Sequence, residues 1–503
     1  MKMIKKIFYC LVLLTTFTTV NAQQKPNVIF ILADDLGYGD LSCYGSKVLP
    51  TPNIDKLAAS GIKFTNGHAT SPTCTPSRFA MMTGTYPWRQ NGTGILPGDA
   101  KMIIPTDKLT LPKVFKNAGY ETAIIGKWHL GLGDKVEKNW NSEIKPSPNE
   151  VGFDYSFIFP ATADRVPTVF MENHKVLATD EKDPIIVNYQ QKVGNDPTGK
   201  ENPELLKMKA SPNHGHDNTI VNGIGRIGFM SGGQKARWVD EEISYTFIDH
   251  VNEFIADHTN KPFMLCYNAT EPHVPRMPAT QFKGKSGLGY RGDAILQFDW
   301  TIGEIMKTLR LNGLEKNTII ILSSDNGPVL NDGYEDGATT GYHGEQLGAL
   351  RGGKYSSLEG GTRVPFIVSW PNQIKAGQSD ALLSQIDFIA SFAAFYKQKV
   401  NAGEAPDSEN QINALLGKDK IGKSVIIEGN TKNQAAILKG DWKYIAPNNG
   451  AAFNSQVGIE MGNSKEPQLY NLKEDLGEKN NLASKYPDKV QELKKLLEKI
   501  TSN

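Results

Sequence analysis

Residues 27 to 33 read Asn-Val-Ile-Phe-Ile-Leu-Ala, and this segment constrains the fold more than any other in the 503-residue chain. It is far shorter than the roughly 18 apolar residues a membrane helix needs. An apolar run of that length without polar alternation suits a strand buried on both faces. Comparable runs follow at Thr122 to Ile125, Pro262 to Tyr267, Thr318 to Leu322 and Val364 to Trp370. Between them, Thr51 to Ser60, Leu111 to Ala118, Ala236 to His258, Asp293 to Leu311 and Ser384 to Tyr396 repeat apolar residues at helical spacing. The alternation predicts an α/β fold, a mostly parallel sheet flanked by helices, with ligands beyond the carboxyl ends of the strands.

Two regions break the rhythm. Residues 143 to 234 are rich in Pro, Gly, Asn and Asp and read as an irregular insertion that shapes a substrate pocket. Residues 398 to 423 are polar and loop-like; then Ala435 to Ile445 form two short strand patterns around Gly440-Asp441, and Val490 to Ile500 return to helical spacing. The expected division is a main domain over 23–397 and a small C-terminal α+β unit over 398–503, an antiparallel sheet with one helix.

The N-terminus carries Lys2, Lys5 and Lys6, an apolar run from Ile7 to Leu14, and the small-residue pattern Val20-Asn21-Ala22. This is the pattern of a secretory signal peptide over residues 1–22. Cleavage after Ala22 removes three lysines and no acid, so 481 residues remain and the formal charge moves from +1 to −2. Neither balance supplies the basic surplus that nucleic-acid binding needs. With no later membrane-length run, the expectation is a soluble exported protein, periplasmic or secreted, with no membrane partner after cleavage. Cys43, Cys74 and Cys266 stay after cleavage, an odd set that leaves at least one thiol unpaired or chemically used. Cys43 and Cys266 read as free and partly buried.

Chemistry collects at the strand ends. Asp34-Asp35 follows the first run directly, and Ser324-Asp325-Asn326-Gly327 follows the run Thr318 to Leu322. Carboxylates and an amide are hard oxygen ligands suited to Ca²⁺ or Mg²⁺ rather than zinc; an isolated Asp pair equally serves as a turn or helix cap. In Cys74-Thr75-Pro76-Ser77-Arg78, Pro76 belongs in a first helical turn and Gly84 suits the helix end. Cys74 then stands at a helix N-terminus with Arg78 one turn on, a setting that favours an anion. The pattern alone leaves open a reactive sulfur or a buried thiol near a cap. Lys127 and His129 alternate along an extended segment, and His273 lies between Pro272 and Pro275; by themselves these read as a solvated face and a turn.

Cys74-Thr75-Pro76-Ser77-Arg78 resembles the C-x-P-S-R signature of the type I sulfatases. The resemblance extends through Asp34 to Asp40, Gly126-Lys127-Trp128-His129-Leu130-Gly131, Pro272-His273-Val274-Pro275, Ser324 to Gly327, and Gly352-Gly353-Lys354 with Glu359 to Pro365, in the family's order. It implies an alkaline phosphatase-like core and hydrolysis of sulfate monoesters. By the resemblance, a maturation enzyme oxidises Cys74 to Cα-formylglycine, and Asp34, Asp35, Asp325 and Asn326 bind one Ca²⁺ with the modified Cys74 as a further ligand. The aldehyde hydrate attacks sulfur, Arg78 assists its ionisation, and Lys127 and Lys354 hold the sulfate charge. His273 protonates the departing alcohol, and His129 takes the proton that lets the diol release sulfate. The resemblance favours a bacterial exported sulfatase acting on galactose-type or N-acetylgalactosamine-type glycans, with Thr162, Arg165, His214 and His216 as substrate-binding candidates. Two alternatives stand beside it: a phosphatase or phosphonate monoester hydrolase on the same fold, and a carbohydrate-binding protein whose Cys74 is never matured.

Overall fold

The computed structural model describes residues 25–210, 214–341, 345–429 and 434–502. The signal-peptide segment lies outside the described residues. Ten strands form the main sheet: β1 (Asn27–Ala33), β2 (Gly61–Phe64), β3 (Glu121–Lys127), β4 (Tyr155–Phe159), β5 (Met171–Glu172), β6 (Lys175–Val176), β7 (Phe263–Asn268), β8 (Thr318–Ser324), β9 (Phe366–Ser369) and β10 (Gly377–Ser379). Their order is β10-β2-β9-β8-β1-β7-β3-β4-β5-β6. The central five, β8-β1-β7-β3-β4, run parallel. Strand β9 joins β8 antiparallel and pairs antiparallel with β2, so the sheet is mixed at its edges.

The first run is buried along its whole length because the sheet is covered on both sides. Val28, Phe30 and Leu32 enter one core with Phe79, Val114 and Phe392, whereas Ile29, Ile31 and Ala33 enter another with Ile54, Phe247 and Ile302. Helices α2 (Cys74–Thr83), α3 (Leu111–Asn117) and α6 (Phe388–Phe395) supply the first layer; α1 (Pro52–Ala59), α4 (Ile243–Asp257) and α5 (Gly289–Leu311) supply the second. Truncating a ring such as Phe30 to Ala would cost about 3–5 kcal/mol.

Three sequence expectations change. Residues 143 to 234 are not all insertion, because Tyr155–Phe159 pairs with β3 as the fifth parallel strand. The helix expected from Ala236 begins only at Ile243, after a short turn of 3-10 helix at Asp240–Glu242. Residues 398 to 423, read as polar and loop-like, are not all loop: a short helix runs Ile412–Leu415, and Ala405, Ala414, Leu415 and Leu416 pack into the first core.

The C-terminal sheet is antiparallel, in the order β11 (Val425–Glu428), β12 (Ala436–Lys439), β13 (Trp442–Ile445) and β14 (Gln468–Asn471). Helix α7 (Pro487–Ser502) closes it through Val490, Leu493 and Leu497, which share a cluster with Ala80 and Tyr86. Helix α2 is therefore clamped: Phe79 and Met82 face the main core and Ala80 faces the C-terminal unit. Among the described residues no helix is long and apolar enough to cross a membrane.

Candidate active site

Parallel topology brings the carboxyl ends of β1 and β8 side by side, and the Asp325 N–H donates to the Ala33 carbonyl at 3.1 Å. Asp34 and Asp35 leave β1 there, with Asp35 at φ +66°, a strained left-handed position for a side-chain residue. Beyond β8 the chain passes tightly at Gly327, where a Cβ would meet the Gly360 carbonyl at 1.7 Å, and Asn326 just before it reaches Asp35 through its amide. Cys74 is the first residue of α2, Pro76 lies in its first turn, and Gly84 ends it at φ +62°.

Buried charge surrounds these ends. Lys127 Nζ, at the end of β3, donates to both Asp34 oxygens at 2.6 and 2.8 Å. Arg78 Nε donates to Asp325 Oδ2 at 2.8 Å, and Lys354 Nζ donates to Asp35 Oδ2 and Asp332 Oδ2, each at 2.9 Å. Burial, outweighing Lys127 and aided by Asp325 and Asp35, pushes the Asp34 carboxyl up to about 8. Asn326 Nδ2 donates to Asp35 Oδ1 at 2.7 Å, while its Oδ1 is buried without a donor. One ligand-type atom each from Asp34, Asp35, Cys74 and His273 lies within 4.8 Å of the others. Carboxylate and amide oxygens crowded around an unspent acceptor fit a hard divalent cation.

A cavity of about 330 Å³ opens over Cys74. Of the residues singled out in the sequence, Cys74, His129, Arg165, His214, His216, His273 and Lys354 line it. Arg78, Lys127, Asp34, Asp35, Asp325 and Asn326 are buried in the charge network described above. Thr162 is not among the lining residues: its hydroxyl donates to Asp164 and accepts from Arg165 Nη1 at 2.6 Å. Sequence reasoning missed Asp164, Asp332 and Tyr355, all lining residues. Asp164 holds Arg165 at 2.8 Å and His216 Nε2 at 3.0 Å. Burial opposes its ionisation, but Arg165 and His216 hold the Asp164 carboxyl well below the usual range. Its position beside Arg165 was the available signal; Asp332, in Asn-Asp-Gly, reads only as a turn.

The two histidines show their tautomers. His129 Nε2 donates to the Leu96 carbonyl at 2.9 Å, which leaves the buried Nδ1 as an acceptor without a partner. His273 Nδ1 donates to the Val274 carbonyl at 2.6 Å, which leaves Nε2, 3.8 Å from Asp35 Oδ2, as its acceptor. Burial and nearby lysines hold both rings neutral, well below the ordinary histidine value.

Of the two readings left open for the unmodified Cys74, the buried thiol is the one the surroundings favour: burial pushes the thiol up to about 12 against Lys127 and Lys354, and Arg78 is already engaged with Asp325. The unmodified sulfur is a protonated thiol and a poor nucleophile. Cys266 is fully buried rather than partly so; Cys43 is half-buried, and no disulfide joins the three.

The sulfatase family model matches residues 26–396. The chain belongs to the sulfatase family and is a sulfuric ester hydrolase, with the α/β sheet and small C-terminal sheet of sulfatase structures. It is 53% identical over 479 residues to the N-acetylgalactosamine-6-O-sulfatase of Bacteroides thetaiotaomicron, covering 95% of this chain and 93% of that one. It is 28% identical to human arylsulfatase A, covering 94% of this chain and 87% of that one. A solved sulfatase structure concerning glycosaminoglycan metabolism by B. thetaiotaomicron superposes with TM-score 0.93 at 52% identity, covering 95% of this chain and 100% of that one. Neither the phosphorus hydrolase nor the unmatured binding protein gains support from these likenesses.

Proposed function

We propose that this sulfatase removes 6-O-sulfate from N-acetylgalactosamine or galactose units of a sulfated glycan, with residue 74 as formylglycine. The reading rests on the 53% identity, across nearly the whole of both chains, to a relative bearing that activity in its name. The charged cavity supports it: Asp164 and His216 offer paired polar groups for sugar hydroxyls, and Arg165 a fixed cation.

The sulfatase family is in general formylglycine-dependent and Ca²⁺-binding, and the donor set here fits the ion. Asp34, Asp35, Asp325 and Asn326 would hold the ion, which when bound lends positive charge to the attacking and sulfate oxygens. Formylglycine at position 74 supplies an aldehyde hydrate, one hydroxyl to attack sulfur and another through which sulfate is expelled.

This chain's own residues do the remainder. Lys354 Nζ, lining the cavity, and Lys127, behind it, place positive charge where the sulfate oxygens gather it. His273 Nε2 would hold the proton that passes to the leaving alcohol; the incoming anionic ester works against the burial and the lysines that keep the ring neutral. His129 Nδ1, already a bare acceptor, takes the proton from the second hydroxyl. Arg78 fixes Asp325, and Thr162 fixes Asp164 and Arg165, so both act through neighbours.

The same reading takes residues 1–22 as a signal peptide, the mature enzyme as periplasmic or secreted, and a formylglycine-generating enzyme as the one protein partner it needs. Sulfate release from N-acetylgalactosamine 6-sulfate, 4-sulfate and N-acetylglucosamine 6-sulfate tests the substrate. Turnover of the first in clear preference to the others is expected; preference for either other sugar overturns the assignment.

A further inference from the structure

At the opposite end of the sheet from Cys74 lies a groove of about 740 Å³. Topology fixes its place. Lys25 and Pro26 precede the first residue of β1, and Trp370 follows the last residue of antiparallel β9, so both stand at the amino ends of the parallel strands. At the usual strand rise, β1 alone separates this end from Asp34 by about 20 Å.

The groove combines three features. Trp370, Phe395 and Tyr396 line it with rings, the first pair 6.2 Å and the second 5.0 Å apart between centroids. Lys25, Lys397 and Lys418 are exposed along it, Lys25 Nζ donating to the Ala118 carbonyl at 2.6 Å, and among the described residues no carboxylate lines it. Trp370 is 8% exposed, yet its indole N–H is buried without an acceptor. Buried indole N–H groups ordinarily find a partner, and Trp370 lines the groove.

We propose that this groove is a second glycan site that holds a sulfated segment of the polymer substrate away from the cavity where sulfate is cleaved. Ring faces carry the apolar sides of sugars, the lysines pair with sulfate groups, and the indole N–H donates to a ligand oxygen. The choice of a sulfated occupant rests on the function proposed above. A polymer held there raises the concentration of its other sulfated units near the cavity.

The test uses the full mature chain with Lys397→Glu/Lys418→Glu, and separately Trp370→Phe, which keeps the ring and removes the N–H. Affinity electrophoresis of the Cys74→Ala protein through chondroitin 6-sulfate should show retardation that weakens about fivefold in the double variant, with less effect from Trp370→Phe. On the Cys74 background, KM for the polymer should rise while turnover of N-acetylgalactosamine 6-sulfate is unchanged. Equal retardation of variant and parent, or equal retardation in unsulfated chondroitin, overturns the groove. If the parent turns over no 6-sulfated monosaccharide, the proposed function fails instead, and the two failures are told apart.

Discussion

Among the described residues two buried groups bring acids together with histidine or cysteine, and they are built in different ways. Around Cys74, carboxylates meet at strand ends beneath an open cavity, with the Asn326 oxygen and His129 Nδ1 unspent. Between the main sheet and the C-terminal sheet, His68, Glu359 and Glu428 come together with comparable density. There Lys443 Nζ fills the centre, 2.7 Å from Glu359, 3.0 Å from Glu428 and 3.7 Å from Glu478, while Arg363 and the His68 ring close the sides. A metal would have to displace that lysine. A cluster of acids and histidine is therefore not a site by composition: both clusters hold internal cations, Lys127, Arg78 and Lys354 in the first and Lys443 in the second, and what sets the first apart is the cavity above it with the unspent Asn326 and His129 atoms.

The contrast predicts separable losses. Replacing Cys74 by Ala should lower sulfate release by at least ~10⁴-fold, because the nucleophile is gone, with an unchanged circular dichroism spectrum and thermal midpoint. Chelation of divalent ions should lower turnover by roughly 10³-fold and be reversed by Ca²⁺, whereas the cluster around Lys443 should not respond. Lys443→Met should do the reverse: about 3–5 kcal/mol of stability lost, from carboxylates left buried without their cation, with turnover per folded molecule nearly unchanged. A Lys443→Met chain as stable as the parent would erase the distinction between the two clusters.

The smallest effect concerns pH. Burial, more than Lys443 can offset, pushes the Glu478 carboxyl up to about 8. A value raised in the folded state means the folded chain holds this proton more tightly than the unfolded chain. Its stabilising contribution is complete below the ordinary carboxylate value and is lost as pH rises through about 8. Denaturant midpoints measured from pH 5 to 9 should fall with pH, and Glu478→Gln should flatten that fall.

Much of this was legible in the residues. The run Asn27 to Ala33, with Asp34 placed beyond it, needed only the absence of alternation, and Cys74 at a helix start followed from Pro76 and Gly84. Tyr155–Phe159 escaped because it is five residues long, flanked by Gly152 and Pro160, and pairs with a strand some thirty residues away. The start of α4 escaped because the apolar residues Ala236 and Trp238 are held by tertiary packing, not by helix. The height of the Cys74 thiol value escaped for a different reason: spacing shows the helix terminus and Arg78, but not the depth of burial that outweighs them or the carboxylate that already occupies the arginine.

That last point makes residue 74 the place to measure. The mass of the tryptic peptide containing it, from protein made alongside a formylglycine-generating enzyme, should be about 18 Da below the thiol form, and the converted fraction should track sulfate release from N-acetylgalactosamine 6-sulfate. Sulfate release at full rate from a chain whose Cys74 keeps its thiol mass would contradict the account.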